Sequence, residues 1–189
     1  MAAVKIAVFA SGSGSNFQAI QEAILRGELD ATIDVVITDK PGAYVVTRAV
    51  GFGIPVLELA PKTFDSKAHY EQAIVDELKK RDIEWVVLAG YMRLVGEVLL
   101  GAYENRIVNI HPSLLPSFPG KDAIGQAFAH GVKVTGVTVH YVDAGMDTGP
   151  IIAQHAVDVV EGDLAATEAR IHEVEHVLYT NTLKQLFGK

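Results

Sequence analysis

The sequence predicts an α/β fold, a Rossmann-like, mostly parallel twisted sheet flanked by helices, with an antiparallel edge towards the C-terminus. Three observations carry this. Up to Ile110, continuous apolar β-type runs alternate with helical segments. The first apolar run leads into a glycine-serine loop that opens a helix. After Val134 the pattern changes to strict in-out alternation, as expected of antiparallel strands.

Val4–Ala10 reads as a strand buried on both faces, and Asn16–Arg26 as an amphipathic helix. Ala31–Thr38 is the second strand, Ala43–Gly51 a short helix and Pro55–Leu59 a short strand. Ser66–Arg81 is the strongest helix, because Tyr70, Ile74 and Leu78 recur at i, i+4, i+8. Ile83–Ala89 is a strand, a short helix follows near Val95–Ala102, and Arg106–Ile110 is the next strand. Val134–Val142 sets Val137, Val139 and Tyr141 against Thr138, His140 and Val142. Ile151–Val159 is expected to pair with it across the glycine-rich loop Asp143–Pro150, and Leu164–Leu186 to close the chain as a long helix.

With 189 residues the chain is expected to form one domain, residues 1–189, able to bury about 70% of its unfolded surface. Its 49% hydrophobic and 21% charged residues are those of a soluble globular protein. A net charge of −7 and a pI near 5.4 argue against a general nucleic-acid or membrane-surface binder. They leave room for a local phosphate site made of backbone N–H groups. The sequence has no cysteine, so disulfides, thiol nucleophiles and thiolate metal sites are impossible. With no secretory signal pattern or long apolar span, the expected compartment is the cytoplasm.

Ser11-Gly-Ser-Gly-Ser-Asn16 joins the first strand to the first helix. Glycines let backbone approach a ligand closely, and a helix N-terminus offers free N–H groups and partial positive charge. Ser13, Ser15 and Asn16 add side-chain donors. A dinucleotide fingerprint would place glycine where Phe17 stands. Asp39 does end the second strand, where such enzymes hold a ribose, so an NAD-dependent oxidoreductase is one alternative.

Asn109-Ile-His-Pro-Ser-Leu-Leu-Pro116 carries the chemistry. At a strand end, Asn109 and His111 leave by the same face. An amide donor then stands beside an imidazole that can donate a proton near neutral pH, a pairing suited to acyl-type chemistry. In open α/β sheets ligands bind beyond the C-terminal strand ends where strand order reverses. There the Gly loop, the segment Gly90–Val95 and His111 are expected to converge. Met92–Val95 mixes apolar side chains with backbone amides and suits a flat heteroaromatic ring. Asp143 and Asp147 lie on the glycine-rich loop, where a carboxylate would favour the imidazolium form of His111. His111, His140 and the two aspartates lack the spacing of known metal motifs, so no metal is expected.

Across essentially its whole length the chain resembles the phosphoribosylglycinamide formyltransferases of purine biosynthesis. The resemblance rests on Ser11–Asn16, Asn109–Pro116 and Gly136–Pro150, extended by Leu88-Ala-Gly-Tyr-Met-Arg93 and Ala169–His176. The Asn-x-His-Pro-Ser motif alone is shared with other folate-dependent formyltransferases and with a formyltetrahydrofolate hydrolase, a second alternative. The resemblance implies formyl transfer from 10-formyltetrahydrofolate to the amine of glycinamide ribonucleotide. It implies Asn109, His111 and Asp147 as the catalytic trio and Gly14, Ser15 and Asn16 as the phosphate site. Glu175 would contact the ribose. Met92, Arg93, Leu94, Val95, Asn109, Val142 and Asp143 would bind the folate, with Lys67 standing where many members carry arginine. His140 would stand behind the substrates in support. The partners implied are these two small molecules, neither nucleic acid nor membrane, with the chain a monomer or homodimer.

Overall fold

The computed structural model describes residues 2–188. Its centre is a seven-stranded sheet in the order β3-β2-β1-β4-β5-β6-β7. The strands are β1 Val4–Phe9, β2 Ala31–Thr38, β3 Val56–Glu58, β4 Trp85–Leu88, β5 Ile107–His111, β6 Val134–Tyr141 and β7 Ile151–Asp158. The first five run parallel, and β6 and β7 are antiparallel to their neighbours. This is the expected mixed sheet, with its antiparallel edge.

Six α-helices cover it among the described residues: α1 Ser15–Leu25, α2 Tyr44–Gly51, α3 Lys67–Lys80, α4 Glu97–Ala102, α5 Ala123–His130 and α6 Leu164–Phe187. The period-two rule of strands divides β1 between two cores. Ile6 and Val8 pack with α1, α2 and α6, while Ala7 and Phe9 pack with α3 and α4. Each fully buried Ile or Leu in these layers contributes about 1.5–3 kcal/mol. On α3, Tyr70, Ile74 and Leu78 are all buried, as their spacing predicts. Ser66 caps that helix by accepting the His69 N–H at 3.1 Å.

The strand order reverses between β1 and β4, since the chain moves outward on one side of β1 through β2 and β3 and then crosses to the other. The C-terminal ends of β1, β4 and β5 therefore flank an open crevice. Helix α6 crosses beneath it and is fixed there by Tyr179. That side chain is 0% exposed. Its hydroxyl lies 2.7 Å from the Leu88 carbonyl and 3.2 Å from that of Val108.

Two departures from expectation concern this crevice. Helix α5 lies in a stretch the sequence left unassigned, where Gly125 sits in the first turn and hides the helical pattern. His111 is the last residue of β5 rather than the first beyond it, because its backbone still pairs with Thr138 of β6. The Leu115–Pro116 peptide is cis.

Candidate active site

The crevice holds a cavity of about 750 Å³, within the usual range for small-molecule sites. One end is the loop between β1 and α1. Gly14 caps α1 with φ +76° and offers no side-chain cap. The first-turn N–H groups are left for a ligand. A Cβ at Gly14 would sit 2.6 Å from Val45 Cγ2, so both the backbone angle and the space require glycine. Asn16 is buried. Its Nδ2 donates to Glu175 Oε2 at 3.2 Å, while its Oδ1 has no partner. Such an orphaned acceptor costs about 1–3 kcal/mol until something donates to it. Glu175, 5% exposed, comes from α6 and also receives His172 Nδ1 at 3.1 Å. That hydrogen bond raises the His172 pKa above the ordinary imidazole value. One turn on, burial lowers that of His176.

At the other end, Asn109 and His111 project from alternate residues of β5, as predicted. His111 Nε2 lies 2.9 Å from the Phe118 carbonyl, which can only accept, so this nitrogen carries a proton. Nδ1 is the nitrogen left for chemistry, 3.5 Å from Asp147 Oδ2. Asp147 reaches in from the loop after β6 with φ +56°, a left-handed conformation rare for a non-glycine residue. It is held there by the Gly120 N–H, which donates to Oδ2 at 2.9 Å. Its other oxygen lies 3.8 Å from His140 Nε2. His140 donates Nδ1–H to the Tyr141 carbonyl at 2.8 Å, and its Nε2 lies 3.4 Å from Asn109 Nδ2. With Nδ1 so engaged, His140 Nε2 stands beside one N–H of the Asn109 amide and leaves the second free. The arrangement offers one neutral donor, one imidazole with a single free nitrogen and one carboxylate, around a common point.

Between the two ends runs the wall Met92–Val95, with Met92 60% and Leu94 47% exposed. Across the opening lies Met146, 49% exposed. These apolar rims suit a ring inserted edge-on. Val142 lines the cavity, whereas Asp143 does not. The Asp143 carboxylate is engaged inside its own loop, accepting from Thr148 Oγ1 at 2.6 Å and Gly145 N–H at 3.0 Å. Those bonds hold its pKa below the usual carboxylate value. Lys67 also lies outside the lining, exposed at the start of α3 and packed beside Gly96. Among the described residues, no three His, Asp or Glu side chains are grouped to hold a metal ion. No helix among them is long and apolar enough to cross a membrane.

Residues 4–183 match the formyl transferase family. The chain belongs to that family. It is 55% identical to the phosphoribosylglycinamide formyltransferase of Bacillus subtilis, over 97% of this chain and 95% of that protein. The solved glycinamide ribonucleotide transformylase 1 of Geobacillus kaustophilus superposes with a TM-score of 0.96 at 58% identity, covering 98% of this chain and all of that one. The phosphoribosylglycinamide formyltransferase of Bacillus halodurans gives 0.95 at 58% identity, covering 98% and 96%. The seven-stranded mixed sheet is thus the formyl transferase fold.

Within this family fold, several cleft residues escaped the sequence reading. Glu168 and His172 line the cavity from α6, and Gly120–Ile124 closes a side of it. The i, i+3 spacing of His172 and Glu175 was the available signal. Asp39 is also placed differently from the dinucleotide expectation. It is 7% exposed and accepts from Ser11 Oγ at 2.5 Å, so it is spent on the protein rather than offered to a ribose.

Proposed function

We propose that the chain transfers the formyl group of 10-formyltetrahydrofolate to the amine of N1-(5-phospho-D-ribosyl)glycinamide, in de novo purine biosynthesis. The products are the N-formyl ribonucleotide and tetrahydrofolate. The observation that carries this reading is the His111 arrangement. One ring nitrogen is committed to Phe118, and the other faces Asp147 beside Asn109, in the same cleft as an open helix N-terminus.

The phosphate rests on the N–H groups of Gly14, Ser15 and Asn16 at the positive end of α1. A ribose hydroxyl donates to Glu175, and the orphaned Oδ1 of Asn16 takes a further donor from the substrate. The pterin ring lies along Met92, Arg93, Leu94 and Val95 and under the backbone of Val142 and Asp143. Lys67 meets a carboxylate of the folate tail as a point charge. With both substrates held side by side, much of the entropic barrier is already met.

The amine attacks the formyl carbon, and the carbonyl oxygen becomes an oxyanion. It receives hydrogen bonds from the free N–H of Asn109 and from protonated Nδ1 of His111. Asp147, 3.5 Å from Nδ1, holds the His111 ring towards the oxyanion, and His140 keeps the Asn109 amide turned the right way. The bond from formyl carbon to the folate nitrogen then breaks. The proton lost by the amine passes to that nitrogen, with Asp147 able to relay it through water. The enzyme works on small molecules in the cytoplasm, as a monomer or homodimer.

The nicotinamide alternative is not favoured, since Asp39 is buried against Ser11. The test is to incubate purified protein with 10-formyltetrahydrofolate, with and without the ribonucleotide, and to follow tetrahydrofolate and formylated product together. Product that needs both substrates and is lost in His111→Ala supports transfer. Formate released without the amine would instead assign the hydrolase reaction.

A further inference from the structure

The segment Met92–Gly96 is tied at both ends to a buried carboxyl group that the mechanism does not use. At the leading end the Met92 N–H donates to Ser11 Oγ at 2.9 Å, and that hydroxyl donates to Asp39 at 2.5 Å. At the trailing end the Gly96 N–H donates to Glu71 Oε2 at 2.6 Å, and the Leu99 N–H to Glu71 Oε1 at 3.1 Å. Asp39 is 7% and Glu71 4% exposed. Among the described residues neither forms an ion pair, so each buried acid spends its acceptors on this wall and its surroundings. Burying an acid without a cation is expensive, and both sites would be cheaper as apolar residues if they only filled space.

Gly96 is packed as tightly as it is bonded. A Cβ there would lie 2.8 Å from Glu71 Oε1 and 3.0 Å from Lys67 Cε. Lys67 and Glu71 are one turn apart on α3, so one helix face fixes the wall and carries the cation beside it.

We propose that Asp39 and Glu71 are positioning residues that hold the Met92–Gly96 wall in place for the formyl donor, touching neither substrate. The proposal rests on the formyl-transfer reading of the cleft. The two acids differ in reach. Glu71 bonds only at the trailing end of the wall, to Gly96 and to Leu99 in the first turn of α4. Asp39 acts through Ser11, which also opens the phosphate loop. Loss of Glu71 therefore weakens the donor site alone, and loss of Asp39 weakens both substrate sites.

The experiment measures both KM values and kcat for Glu71→Gln, Gly96→Ala and Asp39→Asn. Equilibrium binding of the donor and of the ribonucleotide is followed by intrinsic fluorescence, with melting curves alongside. Glu71→Gln keeps the side-chain volume but turns an amide against a backbone N–H, and is expected to raise the donor KM about tenfold. The ribonucleotide KM and kcat stay within about twofold. Gly96→Ala reaches the same contact from the other side, at φ −94°, where alanine is unstrained, and gives the same selective loss. Asp39→Asn replaces a charge-assisted bond with a neutral one and raises both KM values about fivefold. Donor KM unchanged in both Glu71→Gln and Gly96→Ala overturns the proposal. So does a loss shared equally by all parameters and tracking the melting curve, which would make Glu71 merely the cap of α4. A wild-type chain that binds no folate overturns the formyl-transfer reading first, before any variant is compared.

Discussion

The two ends of the cleft are built on opposite plans. The end proposed for the phosphate is a run of adjacent residues, Gly14–Asn16, whose available groups are mainly backbone N–H and whose geometry depends on a glycine at φ +76°. The end proposed for catalysis is assembled from β5 and a loop more than thirty positions further on, and the groups it offers are side chains. It even holds a non-glycine residue, Asp147, at φ +56°. A site made of backbone tolerates side-chain changes and fails when the chain path changes. A site made of side chains does the reverse.

The largest effect should come from the side-chain end. His111→Ala removes the imidazole and should cut turnover by about 10²-fold or more, with both substrates still bound. Single-turnover kinetics with equilibrium binding would check it, and near-normal turnover would sink the assignment. Asp147→Asn should cost about 10²-fold, and the double variant should be little worse than His111→Ala, because the two act as a unit. Full additivity would mean that they work separately.

Next in size is the backbone end. Gly14→Ala must adopt a left-handed angle and push into Val45 at 2.6 Å, costing about 1–3 kcal/mol of stability. It should raise the ribonucleotide KM and leave the donor KM alone, as read from melting curves and steady-state kinetics. Ser15→Ala, which removes a single oxygen at the next residue, should cost at most about 1.5 kcal/mol of ribonucleotide affinity. If Ser15→Ala proved the more damaging of the two, the contrast between backbone and side-chain sites would break.

The smallest effect is electrostatic. His172, held up by its bond to Glu175, contributes stability that is full below the ordinary imidazole pKa and is lost as pH rises through its elevated value. His176, pushed down by burial, behaves oppositely, and stability is lost as pH falls from the ordinary value through its lowered one. With His172 half exposed, solvent screening keeps its share small. Glu175→Gln should return His172 towards the ordinary value in an NMR titration, and an unmoved His172 would mean the pair does not form in solution.

The same contrast explains what the sequence could announce. The placement of adjacent groups, Gly14–Asn16 at a helix start and Asn109-x-His111 at a strand end, was legible because period and turn chemistry set it without any tertiary contact. The parallel order and the antiparallel edge followed from continuous against alternating apolar runs. Contacts between distant segments were legible only as residue types. Nothing in the sequence says that Phe118 takes the Nε2 proton of His111, that Ser11 claims Asp39, or that Glu71 reaches Gly96. Helix α5 was missed for a local reason, its shortness and its early glycine.

Tyr179 shows how closely the parts are indexed. Its hydroxyl has one proton, held between two strand carbonyls at 2.7 and 3.2 Å, and burial keeps that proton on by raising its pKa far above the ordinary phenol value. Glu175 stands one turn earlier on the same helix face. Slipping α6 by a single residue would swing that face by about 100° and slide it by about 1.5 Å, and the phenol would lose both acceptors at once. The register of the helix is therefore set like a key in a slot, from underneath. How finely the Glu175 carboxylate is aimed into the cleft is decided by a bond to two interior strands of the sheet, out of reach of solvent.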